Sequence, residues 1–335
     1  MRQTVTRATL AAMLFMGAGA ASAQDAPAPS PASPPPAEAE PRVDEIEVLG
    51  ERRLEDGQAI YENLEVLAEP QAFNQPVPRF HGPVCVSVTG VDAKVARLVE
   101  ARINAVADYV GLPKAKEGCK ANAVVLISAD PPKMFEAVIK ERFGLIGQQQ
   151  NRDVAIGTIR ADLAAGKPLV AWSQSSERNY DGGTTPDSSG DPALAGAGSF
   201  GDGLNVTRTT MTGRLRSTIF IAKDVAVVAF DAKQLADVHP IQLADIAALY
   251  LLGNPRRNID YESLGTSSLL TLFRDGPKKS PIEMTDFDRA YLKGIYSLRP
   301  NDFSSRLYRT VTAAYDKQCA EEGVPCPADP LPKRK

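Results

Sequence analysis

The central part of the chain alternates apolar and polar positions in two periods, and each period predicts one type of element. Residues 83–89 alternate at every second position and are rich in β-branched side chains, which indicates a strand. After Asp92, apolar side chains recur at helical spacing up to Val110, so this segment predicts a helix capped by Asp92. Residues 122–128 contain an unbroken apolar run, typical of a strand buried on both faces. Together they predict a β-α-β unit with parallel strands.

Further periodic segments extend this pattern toward the C-terminus and indicate the fold class. Apolar alternation predicts three more strands, over 169–174, 214–222 and 225–230, with Lys223 and Asp224 as a tight turn between the last two. Helical spacing predicts helices over 131–143, 151–165, 239–252, 267–273, 285–298 and 303–319. Residues 179–203 are rich in Gly, Ser, Asp and Thr and predict a long surface loop. We therefore expect an α/β (α+β) fold with a mixed sheet and a helical C-terminal half.

The beginning of the chain has the pattern of a secretory signal peptide. Arg2 and Arg7 form a cationic start, residues 8–21 are an apolar run, and small residues precede Gln24. This pattern predicts cleavage of residues 1–23 and a mature chain that begins at about Gln24. We therefore expect a periplasmic or secreted protein in an oxidising environment.

The composition of the remaining chain predicts four regions. Residues 24–41 consist mostly of Ala, Pro, Ser and Glu and predict a disordered tether. Residues 42–77 form an N-terminal segment with one short predicted strand. A single globular domain is expected over 78–317, and residues 318–335 are expected to form a C-terminal tail closed by a disulfide.

Composition and charge exclude several classes of partner. The chain has 335 residues, 24% of them charged, and a formal net charge of −3. A mildly acidic chain gives no electrostatic reason to bind nucleic acid or an anionic membrane. After the predicted signal peptide, no apolar run approaches the roughly 20 residues that a membrane span needs. We expect no nucleic-acid partner and no membrane span in the mature chain.

Four cysteines remain after the predicted cleavage, and they allow three disulfide connectivities. Cys85 lies early in the first predicted strand and Cys119 lies just before the second. Because corresponding ends of neighbouring parallel strands lie side by side, we expect a Cys85–Cys119 disulfide, which leaves Cys319 to pair with Cys326. The cysteines lack the close spacing that is typical of structural zinc sites.

A short alternating segment near the N-terminus suggests a second kind of interaction. Ile46 and Val48 alternate with acidic residues and predict a strand with one apolar face. The segment resembles the box near the mature N-terminus of outer-membrane receptors that pair with the energy-transducing protein TonB. This resemblance implies strand addition to a TonB-type partner. The alternative is that the strand packs against the protein's own body.

Two later segments carry a second resemblance. Residues 225–252 (V-A-V-V-A-F-D through Q-L-A-D-I-A-A-L-Y-L-L) and residues 269–298 (L-L-T-L-F through D-R-A-Y-L-K-G-I-Y-S-L) resemble parts of exported, uncharacterised proteins of Gram-negative bacteria. Those proteins are related to zincin-type metallopeptidases, and the resemblance covers most of residues 78–317. It implies a zincin-like arrangement in which the helix over 239–252 is the central helix.

The chain lacks the chemistry that an active zincin needs. The zinc motif H-E-x-x-H places two His ligands one helical turn apart around a general-base Glu. The predicted central helix has no such pair, and His81 and His239 are the only histidines in the chain. These two remain the candidates for a polar site. We therefore expect no metal, no cofactor and no catalytic set on this scaffold.

Other catalytic motifs are also absent from the sequence. Residues 197–201 come nearest to the G-x-S-x-G elbow of hydrolases but lack its first Gly, and no Gly-rich phosphate loop is present. Arg214 and Arg216 share one face of a predicted strand, so they either contact an anionic ligand or line a solvated face.

These observations favour one function and leave two alternatives open. The leading hypothesis is an exported, non-catalytic zincin-like scaffold that binds a protein or peptide. The alternatives are a hydrolase with an unrecognised active site and a TonB-linked accessory protein of the envelope.

Overall fold

The apolar runs of the central region form one four-stranded mixed sheet. The computed structural model describes residues 57–69, 75–142, 146, 152–179 and 217–322. The strands are β1 (Val86–Thr89), β2 (Ala123–Ser128), β3 (Leu169–Asn179) and β4 (Ile219–Asp231). Their order in the sheet is β1-β2-β4-β3. β2 pairs in parallel with β1 and with β4, whereas β3 pairs antiparallel with β4.

Eight α-helices are present in the described residues. They are α1 (Gly57–Leu67), α2 (Ala93–Tyr109), α3 (Pro131–Arg142), α4 (Arg152–Ala164), α5 (Pro240–Leu252), α6 (Leu272–Asp275), α7 (Asp286–Ser297) and α8 (Leu307–Glu322). The result is an α+β fold with a mixed sheet and a mainly helical C-terminal half, as the periodicity predicted.

The predicted β-α-β unit is confirmed. β1 and β2 pair in parallel from Val86 opposite Ala123, and α2 connects them. Asp92 caps α2 because its side chain accepts a hydrogen bond from the backbone N of Lys94 at 2.8 Å. After α2 the chain passes through Gly111, whose φ of 93° lies in the region that favours glycine.

Helices cover both faces of the sheet, and the core is larger on one of them. On the larger side, α2 and α5 pack against alternate residues of β2 and β4, and α1, α7 and α8 extend the same core. On the other side, α3 and α4 pack against Val170, Ala229 and Trp172. α5 is apolar around most of its circumference, and ten of its thirteen residues are buried. A helix of this kind is stable only inside a core, which places α5 at the centre of the fold.

The core also includes a helix that the sequence pattern did not predict. We placed the start of the folded body at Pro78, but α1 lies upstream and contributes Ile60, Leu64 and Leu67 to the main core. An isolated helix of this length is marginal in water, so α1 depends on tertiary packing more than on local sequence. That dependence is why local pattern alone missed it.

The predicted turn at Lys223 and Asp224 is wrong. β4 continues through both residues, and the pairing with β3 shifts register beside them, between Gln174 and Ser175. A shift of this kind is a β-bulge, which inserts a residue without ending the strand. The polar pair looked like a turn, but each of its side chains has a partner within the fold. β4 begins at Ile219, and Ser217 and Thr218 before it lie outside the strand.

The predicted Cys85–Cys119 disulfide is confirmed, with its Cα atoms 6.0 Å apart. It ties the end of the connection after α2 to the residue before β1, and it is compatible with an extracytoplasmic location. The second predicted pair includes Cys326, which lies outside the described residues.

Several other predictions fall on residues that the structure does not describe. These are the signal peptide over 1–23, the tether over 24–41, the strand with Ile46 and Val48, Arg214 and Arg216, nearly all of the loop over 179–203, and most of the tail over 318–335. Within the described ranges, no helix combines the length and the apolar character needed to cross a membrane.

Candidate functional site

The central helix α5 uses its buried polar side chains to hold neighbouring segments. The Gln242 amide donates to the carbonyl oxygens of Pro277 and Pro281 at 2.9 and 3.0 Å. Asp245 accepts two hydrogen bonds from the Arg102 guanidinium, at 2.7 and 2.8 Å, and one from the backbone N of Met284. These bonds attach the segment before α7 and the helix α2 to α5, so both side chains have structural partners.

The two histidines lie in different environments. His239 begins α5, where its Nδ1 accepts a hydrogen bond from the backbone N of Ile241 at 3.2 Å. The His81 ring packs edge-on against Phe220 with the centroids 4.6 Å apart. Burial, with the nearby Arg79 charge as a lesser cause, lowers the pKa of His81 to about 4. His81 is therefore neutral at physiological pH.

The structure places these imidazoles toward opposite ends of α5. The Lys223 ammonium donates to the carbonyl oxygen of Leu251 at 3.0 Å, so the end of α5 lies beside the first half of β4. His81 contacts Phe220 in that same half of β4, while His239 is at the other end of the helix. A helix of thirteen residues is about 20 Å long. Groups separated in this way do not share one ligand.

Two buried basic side chains, which the sequence analysis missed, hold the ends of two helices. Lys223 donates to the carbonyl oxygens of Leu251 and Gly253 at the end of α5. Arg79 donates to the carbonyl oxygens of Ile295 and Leu298 at the end of α7. The last carbonyls of a helix lack intrahelical partners and carry partial negative charge, so a cation stabilises them. Burial lowers the pKa of Lys223 to about 7 and that of Arg79 to about 10.

The two edge strands of the sheet differ in how their outer side is protected. β1 is four residues long, and the backbone N of Val88 donates to the Glu100 carboxylate of α2 at 3.0 Å. A charged side chain that covers a short edge is a common device against unwanted strand pairing. β3 is eleven residues long and forms the opposite edge of the sheet in the described part of the chain.

The register of β3 shows which of its backbone groups point outward. Asp231 N donates to Pro168 O at 2.9 Å, so these two residues form a hydrogen-bonded pair of the antiparallel ladder. Hydrogen-bonded and non-hydrogen-bonded pairs alternate along such a ladder. Val170, Trp172 and Gln174 therefore turn their N–H and C=O groups toward β4. The intervening residues turn theirs away from β4: they are Leu169, Ala171 and Ser173.

We define the β3 edge as the outward backbone groups of Leu169, Ala171 and Ser173. No described residue adds a further strand beside them. The Ala171 side chain is exposed, and the other two are partly exposed. One face of the strand packs against the smaller core. Val170 is buried there, and the ring centroids of Trp172 and Phe135 are 5.5 Å apart. The result is an extended, firmly supported row of donors and acceptors.

The surface of the described structure includes two cavities of substantial volume. One, of about 560 Å³, lies between the start of β1, the exposed face of α2 and the connection that contains Cys119. The other, of about 420 Å³, lies between α1 and the start of α8. Within the described ranges, no group of three or more His, Cys, Asp or Glu side chains is arranged to hold a metal ion.

Comparison of the chain with protein-family models, with curated proteins and with solved structures found no match.

Proposed function

We propose that the chain is an exported, non-catalytic protein that binds an extended peptide or protein segment by strand addition at the β3 edge. The observation that carries this proposal is the outward direction of the backbone groups of Leu169, Ala171 and Ser173. The strand that presents them is fixed by pairing with β4 and by packing against the smaller core. Each residue offers one N–H and one C=O, which is the alternating pattern that a peptide strand complements.

The order of elements supports a zincin-like arrangement as part of the same proposal. A β-α-β unit is followed by an antiparallel edge strand, then by a central strand and by the buried helix α5. This is the order that the resemblance of residues 225–252 and 269–298 implied. The polar side chains of α5, Gln242 and Asp245, are engaged in hydrogen bonds to neighbouring segments. On this arrangement the sheet edge, rather than the helix, provides the binding groups.

The chemistry of strand addition predicts which ligands bind. Backbone hydrogen bonds supply most of the affinity, and side chains at alternate positions supply specificity. We therefore expect tolerance of side-chain replacement in the ligand at every second position, and strong loss of affinity when the ligand backbone is N-methylated at the paired positions.

A display library of ten-residue peptides tests the proposal with the purified mature chain. Enriched peptides are expected to lose about tenfold in affinity for Ala171→Pro, because proline removes the outward N–H. Ala171→Val is the matched control, because it keeps the N–H and suits a strand, and it is expected to bind like the wild type. Equal binding by Ala171→Pro, or no enrichment of any peptide, would contradict the proposal.

A further inference from the structure

The cavity of about 560 Å³ lies along the outer side of β1, at the edge of the sheet opposite to β3. One wall is β1 and the residue pair before it, with Val84 and Val86 among the lining residues. The other wall is an exposed stripe of α2 at helical spacing, formed by Ala101, Asn104, Ala105 and Asp108. The connection over 112–119 also lines this space, which we call the β1 groove.

Val86 presents its backbone groups to the β1 groove. Ala123 N donates to Cys85 O at 3.1 Å, so the backbone of Cys85 faces β2. Successive residues of a strand face opposite sides, so Val86 and Val88 face away from β2. Val88 N donates to Glu100, but Val86 N has no hydrogen-bond partner among the described residues. The small side chains of the α2 stripe leave space for another chain segment to reach Val86.

The lining of the β1 groove suits an apolar segment of chain better than an ion. Leu112, Pro113 and Ala115 add apolar surface to that of the two walls. Lys114 pairs with Asp108 at 3.4 Å, and the remaining charged lining residues are one lysine and one glutamate. These charges balance, so the groove has no net charge that would select a cation or an anion.

The end of α8 lies beside one end of the β1 groove. The Gln318 amide donates to the Tyr109 hydroxyl at 2.6 Å, and Tyr109 directly follows Asp108 of the α2 stripe. α8 ends at Glu322, about one helical turn after Gln318. The described part of the chain therefore ends close to the groove, and residues 323–335 continue from that point.

The last eight residues of the sequence have the length and composition to occupy this groove. Residues 328–335 read A-D-P-L-P-K-R-K, and Leu331 is their only large apolar side chain. Nine residues separate Leu331 from Glu322, and at roughly 3.1 Å per residue they span up to about 28 Å. The α2 stripe is only about 10 Å long, so Leu331 reaches any part of it. The prolines on both sides of Leu331 favour an extended backbone.

We propose that residues 328–335 of this chain bind in its own β1 groove, with the Leu331 side chain against the apolar lining and the Leu331 backbone beside Val86. The bound segment covers the outward amide of β1 that Glu100 does not reach. This interaction is independent of strand addition at the β3 edge, because no residue is common to both surfaces.

Hydrogen exchange of the mature chain and of a variant truncated after Pro327 tests the proposal, and the truncation keeps all four cysteines. Exchange of the Val86 amide is expected to be about tenfold faster in the truncated protein, because its cover is gone. The Val125 amide, which pairs with β1 from the central side, should exchange slowly in both proteins and so reports an intact fold. Equal exchange rates at Val86 in the two proteins would overturn the proposal.

Two substitutions and a dilution identify the occupant. Leu331→Asp is expected to expose the Val86 amide as the truncation does, because a carboxylate is costly in an apolar groove. Leu331→Met is the matched control and should retain slow exchange. Wild-type exchange at Val86 in Leu331→Asp would overturn the proposal. Slow exchange of Val86 in the wild type should also persist on dilution, and loss of protection would assign the bound segment to a second copy and contradict binding within one chain.

Discussion

The two edge strands of the sheet differ in how far their outward backbone groups are protected from pairing with another strand. β1 is short, has an outward amide paired with Glu100, and is tied to the following connection by the Cys85–Cys119 disulfide. β3 is nearly three times as long, and its outward groups at Leu169, Ala171 and Ser173 have no strand beside them in the described residues. The β1 edge is protected by the Glu100 side chain and fixed by a disulfide. The β3 strand is fixed only by pairing with β4 and by packing against the smaller core.

This difference identifies β3 as the edge whose outward backbone groups have no strand beside them in the described residues. Long exposed edges invite aggregation, so natural proteins cover them unless they serve binding. The protection of β1 shows that this fold has the means to cover an edge. Under the proposed function, the β3 edge has no further strand in the described residues because a peptide strand binds there.

β3 pairs with β4, and the Lys223 side chain attaches β4 to the end of α5. The pKa of Lys223 is about 7 in the folded protein and near 10.5 when unfolded, so the unfolded chain binds this proton more strongly. The contribution of this group to the free energy of unfolding therefore rises from pH 7 to pH 10.5 and is constant below pH 7, with an upper bound of about 5 kcal/mol. Relative to Lys223→Met, the wild type should gain stability over this range in urea unfolding at constant ionic strength. A constant difference would contradict the buried amine.

Removal of the disulfide tests whether the Cys85–Cys119 bond stabilises the β1 edge. Cys85→Ser with Cys119→Ser is expected to lower the free energy of unfolding by about 3–4 kcal/mol, because the unfolded chain regains loop entropy. Hydrogen exchange should quicken across β1 and the start of β2 and change little in β3. Equal acceleration in both edge strands would show that the disulfide does not act locally.

Proline substitution along β3 tests the direction of its backbone groups. Val170→Pro is expected to cost about 3 kcal/mol or more, because it removes an amide that pairs with β4 and disturbs a buried side chain. Ala171→Pro should cost less than about 1 kcal/mol, because its amide points outward. Denaturant unfolding of the two variants gives both values, and a reversed order would show that the register of β3 is shifted by one residue.

Opening the β1 edge should have the smallest effect. Glu100→Ala leaves the outward amide of Val88 without its carboxylate partner, and about 1 kcal/mol of stability should be lost. Exchange of the Val88 amide should become faster. An unchanged rate would mean that Glu100 does not protect this edge.

Local periodicity was enough to predict much of the fold. The β-α-β unit follows from alternation before Asp92 and helical spacing after it, and the Cys85–Cys119 pair follows from the parallel strands. α1 was missed because its stability comes from packing. The predicted turn at Lys223 was wrong because the sequence does not show that the end of α5 lies beside the first half of β4, where the buried Lys223 side chain bonds to carbonyl oxygens.

The candidate site was less accessible to sequence reasoning. The β3 edge consists of backbone groups, and which of them point outward depends on the pairing of Asp231 with Pro168, not on side-chain type. The cavity between α1 and α8 depends on contact between helices that are far apart in the chain. The apolar residues on both sides of the Lys223–Asp224 pair were the one signal that favoured a single strand over two.

Amide hydrogen exchange of the free protein, measured residue by residue, tests the open β3 edge most directly. We predict rapid exchange at Ala171 and Ser173 and slow exchange at Val170, Trp172 and Val88, because only the first two amides lack a partner in the described structure. Strong protection of Ala171 and Ser173 in the free protein would show that the edge is already covered, and would contradict the account.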